Sequence, residues 1–400
     1  MRTRLTHSLE VSTLARSMTL QAFERIIKSK EIHPDLKPLD DKLPHIATIA
    51  TTCGLIHDLG NPPFGHSGEV AIASWFKKNE SNVFDDSLDD AHRADFLQFD
   101  GNAQTFRLIA HLQVQADRNG FNFTYATLSA SLKYVASSKD AAREAQVKKP
   151  RKELSKPGYF MSEKEVVKRV LRSTNTGEAR NPIAYLVEAA DDAVYSACDL
   201  EDAIRKGVLS ADRARRLLAD GLSDAQVREL EYGIKRVVPD DDDVETGLTA
   251  TAIRIALHGM AIPQLIDAFL KHYESIMSGE YHGALEDGST IIAACKAVGE
   301  RQVYGAGQNP QLELLGRRVI HDLMDLFWEG IRSAENTKKT KSFQEKIMSM
   351  LSPNYVKFMF DSIDEEKRHE RYYRLQLLTD FVCGMTDTYA RDMHRRLFNG

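Results

Sequence analysis

Asn181-Pro182 opens a run of helix-forming residues that no glycine or proline interrupts until Gly207. Asparagine suits an N-cap, proline the first turn and glycine a terminus, so the spacing predicts one helix from Pro182 to about Lys206, about seven turns long. Helical periodicity dominates elsewhere as well. Leu5, Leu9, Leu14 and Met18 trace one apolar stripe, and Ala47, Ala50, Gly54 and Leu55 help form another. Alternating runs long enough for strands are few, and the predicted fold class is all-α. Further helices are expected over 46–59, 252–258, 263–277, 312–333 and 371–397.

Composition narrows what such a chain can do. With 400 residues, 42% of them hydrophobic, 28% charged and only 12 proline, the chain reads as globular rather than disordered. Its formal charge, 53 minus 58 or −5, argues against a protein that coats nucleic acid uniformly and leaves room for a local basic patch. Cys53, Cys198, Cys295 and Cys383 lie far apart with no Cys-x-x-Cys pair, which suggests neither a zinc ribbon nor a disulfide framework and fits a reducing cytoplasm. The amino-terminal residues carry no apolar signal region, and no run of about 18 uninterrupted apolar residues occurs, so no membrane segment is expected. Two stretches break the helical pattern. Residues 137–163 are loop-like and rich in Lys and Arg, including Lys148-Lys149-Pro150-Arg151-Lys152, and Asp240 to Asp243 form an acidic run beside Pro239. A division near residue 207 is expected, between a catalytic half (1–207) and a carboxy-terminal helical half (208–400).

Chemistry concentrates in the stretch from Cys53 to Glu69, which packs His57, Asp58, His66 and Glu69 around Pro62-Pro63. A helix over 46–59 must end at Gly60, and a second can restart after Gly65. His57 and Asp58 then sit at the mouth of a loop. Their side chains point about 100° apart, so both can reach one ion only if it lies at the helix edge. A histidine capping a helix end beside an amide-bonded aspartate is the structural alternative. Arg4 and His7 share a helix face at i, i+3, as do His66 and Glu69. Asp191, Tyr195 and Asp199 fall at i, i+4 and i+8 on one face of an Ala-rich helix, either as a solvated stripe or as the lining of a pocket.

The segments Arg4-Leu5-Thr6-His7-Ser8-Leu9-Glu10-Val11, His57-Asp58-Leu59-Gly60-Asn61-Pro62-Pro63-Phe64-Gly65-His66-Ser67-Gly68-Glu69 and Glu188-Ala189-Ala190-Asp191-Asp192 resemble the HD superfamily, specifically the dGTPase-type deoxynucleoside triphosphate triphosphohydrolases. The likeness extends to Phe99-Asp100-Gly101-Asn102-Ala103-Gln104-Thr105-Phe106-Arg107, to Lys156-Pro157-Gly158-Tyr159-Phe160 and to residues 375–387, and so runs nearly end to end. It implies an HD-domain helical fold with additional carboxy-terminal helices. It further implies that His7, His57, Asp58 and Asp191 bind one divalent metal ion. Two imidazoles and two carboxylates suit Mn²⁺, Mg²⁺, Co²⁺ or Fe²⁺. By the same resemblance His66 and Glu69 form the acid/base pair, Arg4 contacts phosphate, and Tyr195 and Asp199 hold the triphosphate and sugar. Lys133, Lys156, Lys296 and Tyr304 are further candidates for phosphate or sugar contacts.

The activity implied is hydrolysis of dGTP or another dNTP to deoxynucleoside and tripolyphosphate, by a homo-oligomer, hexameric or tetrameric. Two alternatives stand beside it: an HD-type nucleotidase or phosphodiesterase, and a nucleotide-sensing or single-stranded-DNA-binding regulator, the latter prompted by the basic 148–152 segment. Members of the family carry residues ahead of the Arg4 segment, among them a nucleotide-contacting glutamine. Only six residues precede His7 here, which raises the expectation of a truncated start or of partly lost base and sugar recognition. His92, His111, His258 and His321 are expected to be packing or surface histidines, and Trp75, Phe99 and Phe106 core residues.

Overall fold

The computed structural model describes residues 3–28, 41–113, 119–238, 246–304, 310–334 and 342–398; the side chains of residues 246, 303 and 304 lie outside that set. The expected acidic run Asp240 to Asp243 also falls outside it. The fold is all-α, and the strands among the described residues are two short ones, Ala136–Ser137 and Pro157–Tyr159, paired in parallel. The chain groups into two compact units, each assembled from separated segments. The first comprises residues 1–56 and 179–309, and the second residues 57–178 and 310–400. Residue 207 lies inside the first unit.

In the first unit the helix Pro182–Arg205 is the central element. Asn181 caps it by accepting the Ile183 amide, Pro182 fills the first turn, and Lys206 ends it just before Gly207, as the sequence predicts. Small residues, Ala184, Ala189, Ala190, Ala193 and Ala197, are buried along it and let neighbouring helices approach closely. Only one side stays out of the core, and Asp191, Tyr195 and Asp199 lie there. Arg4–Lys28 and Thr246–Lys271 pack against it, and Leu43–Ile56 packs on Arg4–Lys28. The approach of those last two is tight at Gly54, where a Cβ would come within 2.7 Å of the Ser12 Cα. The Ser12 hydroxyl donates to the Thr51 carbonyl at 2.8 Å beside it. A larger residue at 54 would force the two helices apart.

The helix Thr246–Lys271 differs from expectation, since Pro263 lies within it rather than at the start of a new one. Burial of Met260, Ala261, Leu265 and Ile266 on both sides carries the helix through the proline. Residues 247–271 are long and apolar enough, by length and composition alone, to cross a bilayer. Half of the most apolar stretch is buried within the chain, and Arg254 of this helix pairs with the buried Glu201 at 2.8 Å.

The second unit has an aromatic core. Trp75, Phe76, Phe96, Phe99 and Phe106 are buried, the first four packing with Leu323, Phe327, Leu378 and Phe381 from the helices Pro310–Ile331 and Glu370–Cys383. The Phe76 ring lies 4.7 Å from that of Phe96 and 5.0 Å from that of Trp75, whose indole N–H donates to Asp325 at 2.7 Å. The stretch expected as one helix over 371–397 is two, Glu370–Cys383 and Asp387–Phe398. The break falls at Gly384-Met385-Thr386, where the Thr386 hydroxyl accepts the Tyr389 amide and starts the second helix. Nor is 137–163 simply a loop. The Ser137 hydroxyl accepts the Asp140 amide and caps a helix Ser138–Glu144, and the short strand pair flanks it.

Candidate functional site

In the first unit, a reciprocal cap sets the start of Arg4–Lys28. The Thr3 hydroxyl accepts the Thr6 amide at 3.2 Å while the Thr6 hydroxyl accepts the Thr3 amide at 2.9 Å. Arg4 is thereby the first helical residue, exposed, and His7 stands on the same face one turn on. His7 Nε2 lies 3.1 Å from Asp191 Oδ1 of the central helix, both side chains partly exposed. Imidazole nitrogen and carboxylate oxygen are both donor types that divalent ions take. Tyr195, one turn beyond Asp191, is 48% exposed, and Asp199 follows on that side. Lys296 reaches the same helix but sits between two carboxylates, 3.3 Å from Asp192 Oδ1 and 3.1 Å from Glu286 Oε1. Its charge is already matched twice. The Tyr304 side chain lies outside the described residues.

The helix Leu43–Ile56 of the first unit ends slightly earlier than the sequence suggests, and in the second unit residues 57–60 form a turn. His57 Nε2 stands 3.5 Å from Asp58 Oδ1, and the same Asp58 oxygen accepts from Asn61 Nδ2 at 2.8 Å. Pro62 and Pro63 are buried, and a new helix, His66–Lys78, begins after Gly65 as predicted. His66 Nδ1 meets Glu69 Oε2 at 2.9 Å, with the His66 side chain 81% exposed and that of Glu69 only 13%. An open imidazole held by a sheltered carboxylate can pass a proton to or from a group outside. Burial raises the Glu69 pKa from its ordinary value, and the nearby Asp100 carboxylate raises it further; His66, the Gly101 amide and Lys156 pull the other way. Lys156 lies 3.6 Å from Asp100 Oδ2, and Lys133 neighbours Lys156 and lies over the Tyr134 ring at 6.0 Å. Burial, the largest influence, would lower the Lys156 pKa, but Asp100, Tyr134 and Glu69 together outweigh it and the pKa is raised. Lys156 is therefore fully charged at neutral pH.

The other histidines fall as expected where the structure speaks of them. His92 is buried, bonded to Asp89 at 2.9 Å, and His321 bonds Ser74 and the Ala71 carbonyl at 3.0 Å each. Sequence reasoning missed Asp100, which caps the helix Gly101–Arg107 by accepting the Asn102 amide, and Thr105 on the same helix. An Asp ahead of Gly-Asn-Ala is a legible cap signal; nothing local marks Thr105.

No family model matches the chain. Among curated proteins, it is 30% identical over 413 residues to a "deoxyguanosinetriphosphate triphosphohydrolase-like protein" of Listeria innocua, the match covering 99% of this chain and 86% of that relative. A Listeria monocytogenes protein of the same name matches to the same extent. A "deoxyguanosinetriphosphate triphosphohydrolase" of Yersinia enterocolitica is 30% identical over 460 residues, covering 99% of this chain and 87% of its own length.

Proposed function

Because the chain belongs to the deoxyguanosinetriphosphate triphosphohydrolase family, a family of hydrolases, we propose that it hydrolyses deoxynucleoside triphosphates, dGTP foremost, to deoxynucleoside and tripolyphosphate. The observation that carries this reading is the pairing of His7 with Asp191 on the helix face that also bears Tyr195 and Asp199. The open His66–Glu69 pair of the second unit supplies the proton chemistry the reaction needs.

In this proposal His7, His57, Asp58 and Asp191 hold one divalent ion, Mn²⁺, Mg²⁺, Co²⁺ or Fe²⁺. The donor set fits: imidazole nitrogen and carboxylate oxygen, without thiolate, suit these ions. Such an ion, when bound, supplies Lewis acidity at the phosphate and orients a water. The chain's own groups do the rest. Glu69 holds the His66 imidazole, which protonates the departing 5′-oxygen as its bond to the α-phosphorus breaks. Arg4, Lys133 and Lys156 offset charge on the triphosphate; Asp199 orients the sugar end, and the Tyr195 ring packs under a deoxyribose and disfavours a 2′-hydroxyl. Lys296 and Tyr304 contact phosphate or sugar.

The proposal also includes a homo-oligomer, hexameric or tetrameric, and a cytoplasmic setting, which the four buried cysteines suit. Single-stranded DNA is a further partner, suggested by the exposed Lys148 and Lys149.

A product assay tests the core of it. Purified protein with Mn²⁺ or Mg²⁺ is offered each dNTP and GTP, alone and mixed, beside an Asp58→Ala control. Tripolyphosphate that disappears in the control supports the reading. Orthophosphate in its place points to a nucleotidase, and no product from any mixture removes the enzymatic proposal.

A further inference from the structure

Two neighbouring residues such as His57 and Asp58 point their side chains in different directions, so they can serve one ion only if the peptide joining them is held in a single orientation. The turn from His57 to Asn61 is closed on itself by Asn61, whose amide donates to the Asp58 carbonyl at 3.2 Å. Further support comes from the helix Gly101–Arg107. There the Thr105 hydroxyl lies between two backbone groups of the turn. It accepts from the Gly60 amide at 2.9 Å and donates to the His57 carbonyl at 3.3 Å. Thr105 is 3% exposed, so water does not compete for either bond.

The contact is as close as backbones permit. A Cβ on Gly60 would come within 2.1 Å of the Thr105 nitrogen and 2.5 Å of the Gly101 carbonyl oxygen. The supporting helix is itself fixed from behind. Arg107 Nε and Nη2 each donate to a different oxygen of the buried Asp380 at 2.8 Å, and Gln104 Nε2 donates to Asp380 Oδ1 at 2.8 Å.

We propose that Thr105 is a positioning residue for the catalytic centre: its one hydroxyl, donating to His57 and accepting from Gly60, fixes the turn backbone and so aims the His57 imidazole and the Asp58 carboxylate. The inference rests on the metal-centre reading given above. It requires a group that donates and accepts at once, which serine retains and the equally shaped valine lacks.

Full-length Thr105→Val and Thr105→Ser are compared with the parent chain by titrating Mn²⁺ and following the free-ion electron paramagnetic resonance signal, without substrate; kcat/KM on dGTP and thermal midpoints accompany the titrations. Thr105→Val is expected to weaken Mn²⁺ binding by about tenfold or more, and Thr105→Ser to stay within about threefold of the parent. If valine prevents folding, Thr105→Ala replaces it in the comparison with serine. A folded Thr105→Val or Thr105→Ala protein that binds Mn²⁺ as the parent does overturns the positioning role while leaving the metal centre standing. A parent chain that neither binds Mn²⁺ nor releases tripolyphosphate overturns the metal-centre reading and the positioning role together.

Discussion

Glu69 divides its carboxylate between two partners: Oε2 meets His66 Nδ1 at 2.9 Å, and Oε1 accepts the Gly101 amide at 2.8 Å. The backbone bond locks the carboxylate, and the locked carboxylate orients an imidazole that is otherwise in solvent. Glu69→Gln keeps the shape and the acceptor for Gly101 but removes the negative charge that faces the His66 ring. It is expected to lower kcat on dGTP by roughly 10²-fold or more, with KM changing little and Mn²⁺ binding unchanged. Steady-state kinetics check this, and activity within about threefold of the parent would remove the pair from the chemistry.

The same carboxylate gives a pH signature. Burial first, then Asp100, raises the Glu69 pKa, so protonation of Glu69 sets in at higher pH than for a solvated glutamate. Asp100→Asn keeps the helix cap, since asparagine accepts the Asn102 amide equally well, but removes the like charge. The Glu69 pKa then falls, and the acid limb of the kcat/KM profile is expected to move to lower pH. Lys156→Met removes a charge that lowers the Glu69 pKa, and the limb should move the opposite way. A pair of pH–rate profiles that shift together, or not at all, contradicts the assignment.

Asp95 links pH to stability rather than to chemistry. It is fully buried, and burial lifts its pKa to about 7 despite hydrogen bonds from Ser138, Tyr372 and the Met161 amide. The folded state therefore prefers Asp95 protonated. Its contribution to stability is fully present below the unfolded value near 4 and is lost as pH rises through 7. Between pH 5 and 8 this loss is on the order of 2 to 3 kcal/mol. Asp95→Asn removes it, so the stability difference between parent and variant, from urea unfolding, should shift in favour of the variant as pH rises. A difference independent of pH would show that Asp95 stays ionised throughout.

These predictions depend unequally on what the sequence discloses. The central helix was legible because its cap, first-turn proline and following glycine are all local signals, and its polar face was legible because Asp191, Tyr195 and Asp199 repeat every four residues. The turn at His57 and the restart at His66 were legible because two prolines cannot continue a helix. Pro263 misled for the same reason, as tertiary burial of its neighbours overrode a local rule. The break at Gly384 was hidden because nothing on either side stops being helical in composition. Thr105 and Asp380 were out of reach altogether, since their roles arise only from partners 45 and 276 residues away.

The Arg107 anchor shows how much such a distant contact can weigh. Arg107, Asp380 and Glu163 are all at most 2% exposed, and one guanidinium serves both carboxylates, at 2.8 Å and 3.0 Å. Removing the cation leaves two buried acids without it, which costs far more than the net worth of the ion pair. Arg107→Met is expected to destabilise the protein by about 3–5 kcal/mol, read as a lower urea midpoint at unchanged slope. The double variant Arg107→Met, Asp380→Leu removes one orphaned acid with the cation, and should be less destabilised than the sum of the two single variants. Strict additivity would mean that the guanidinium and the Asp380 carboxylate do not depend on each other.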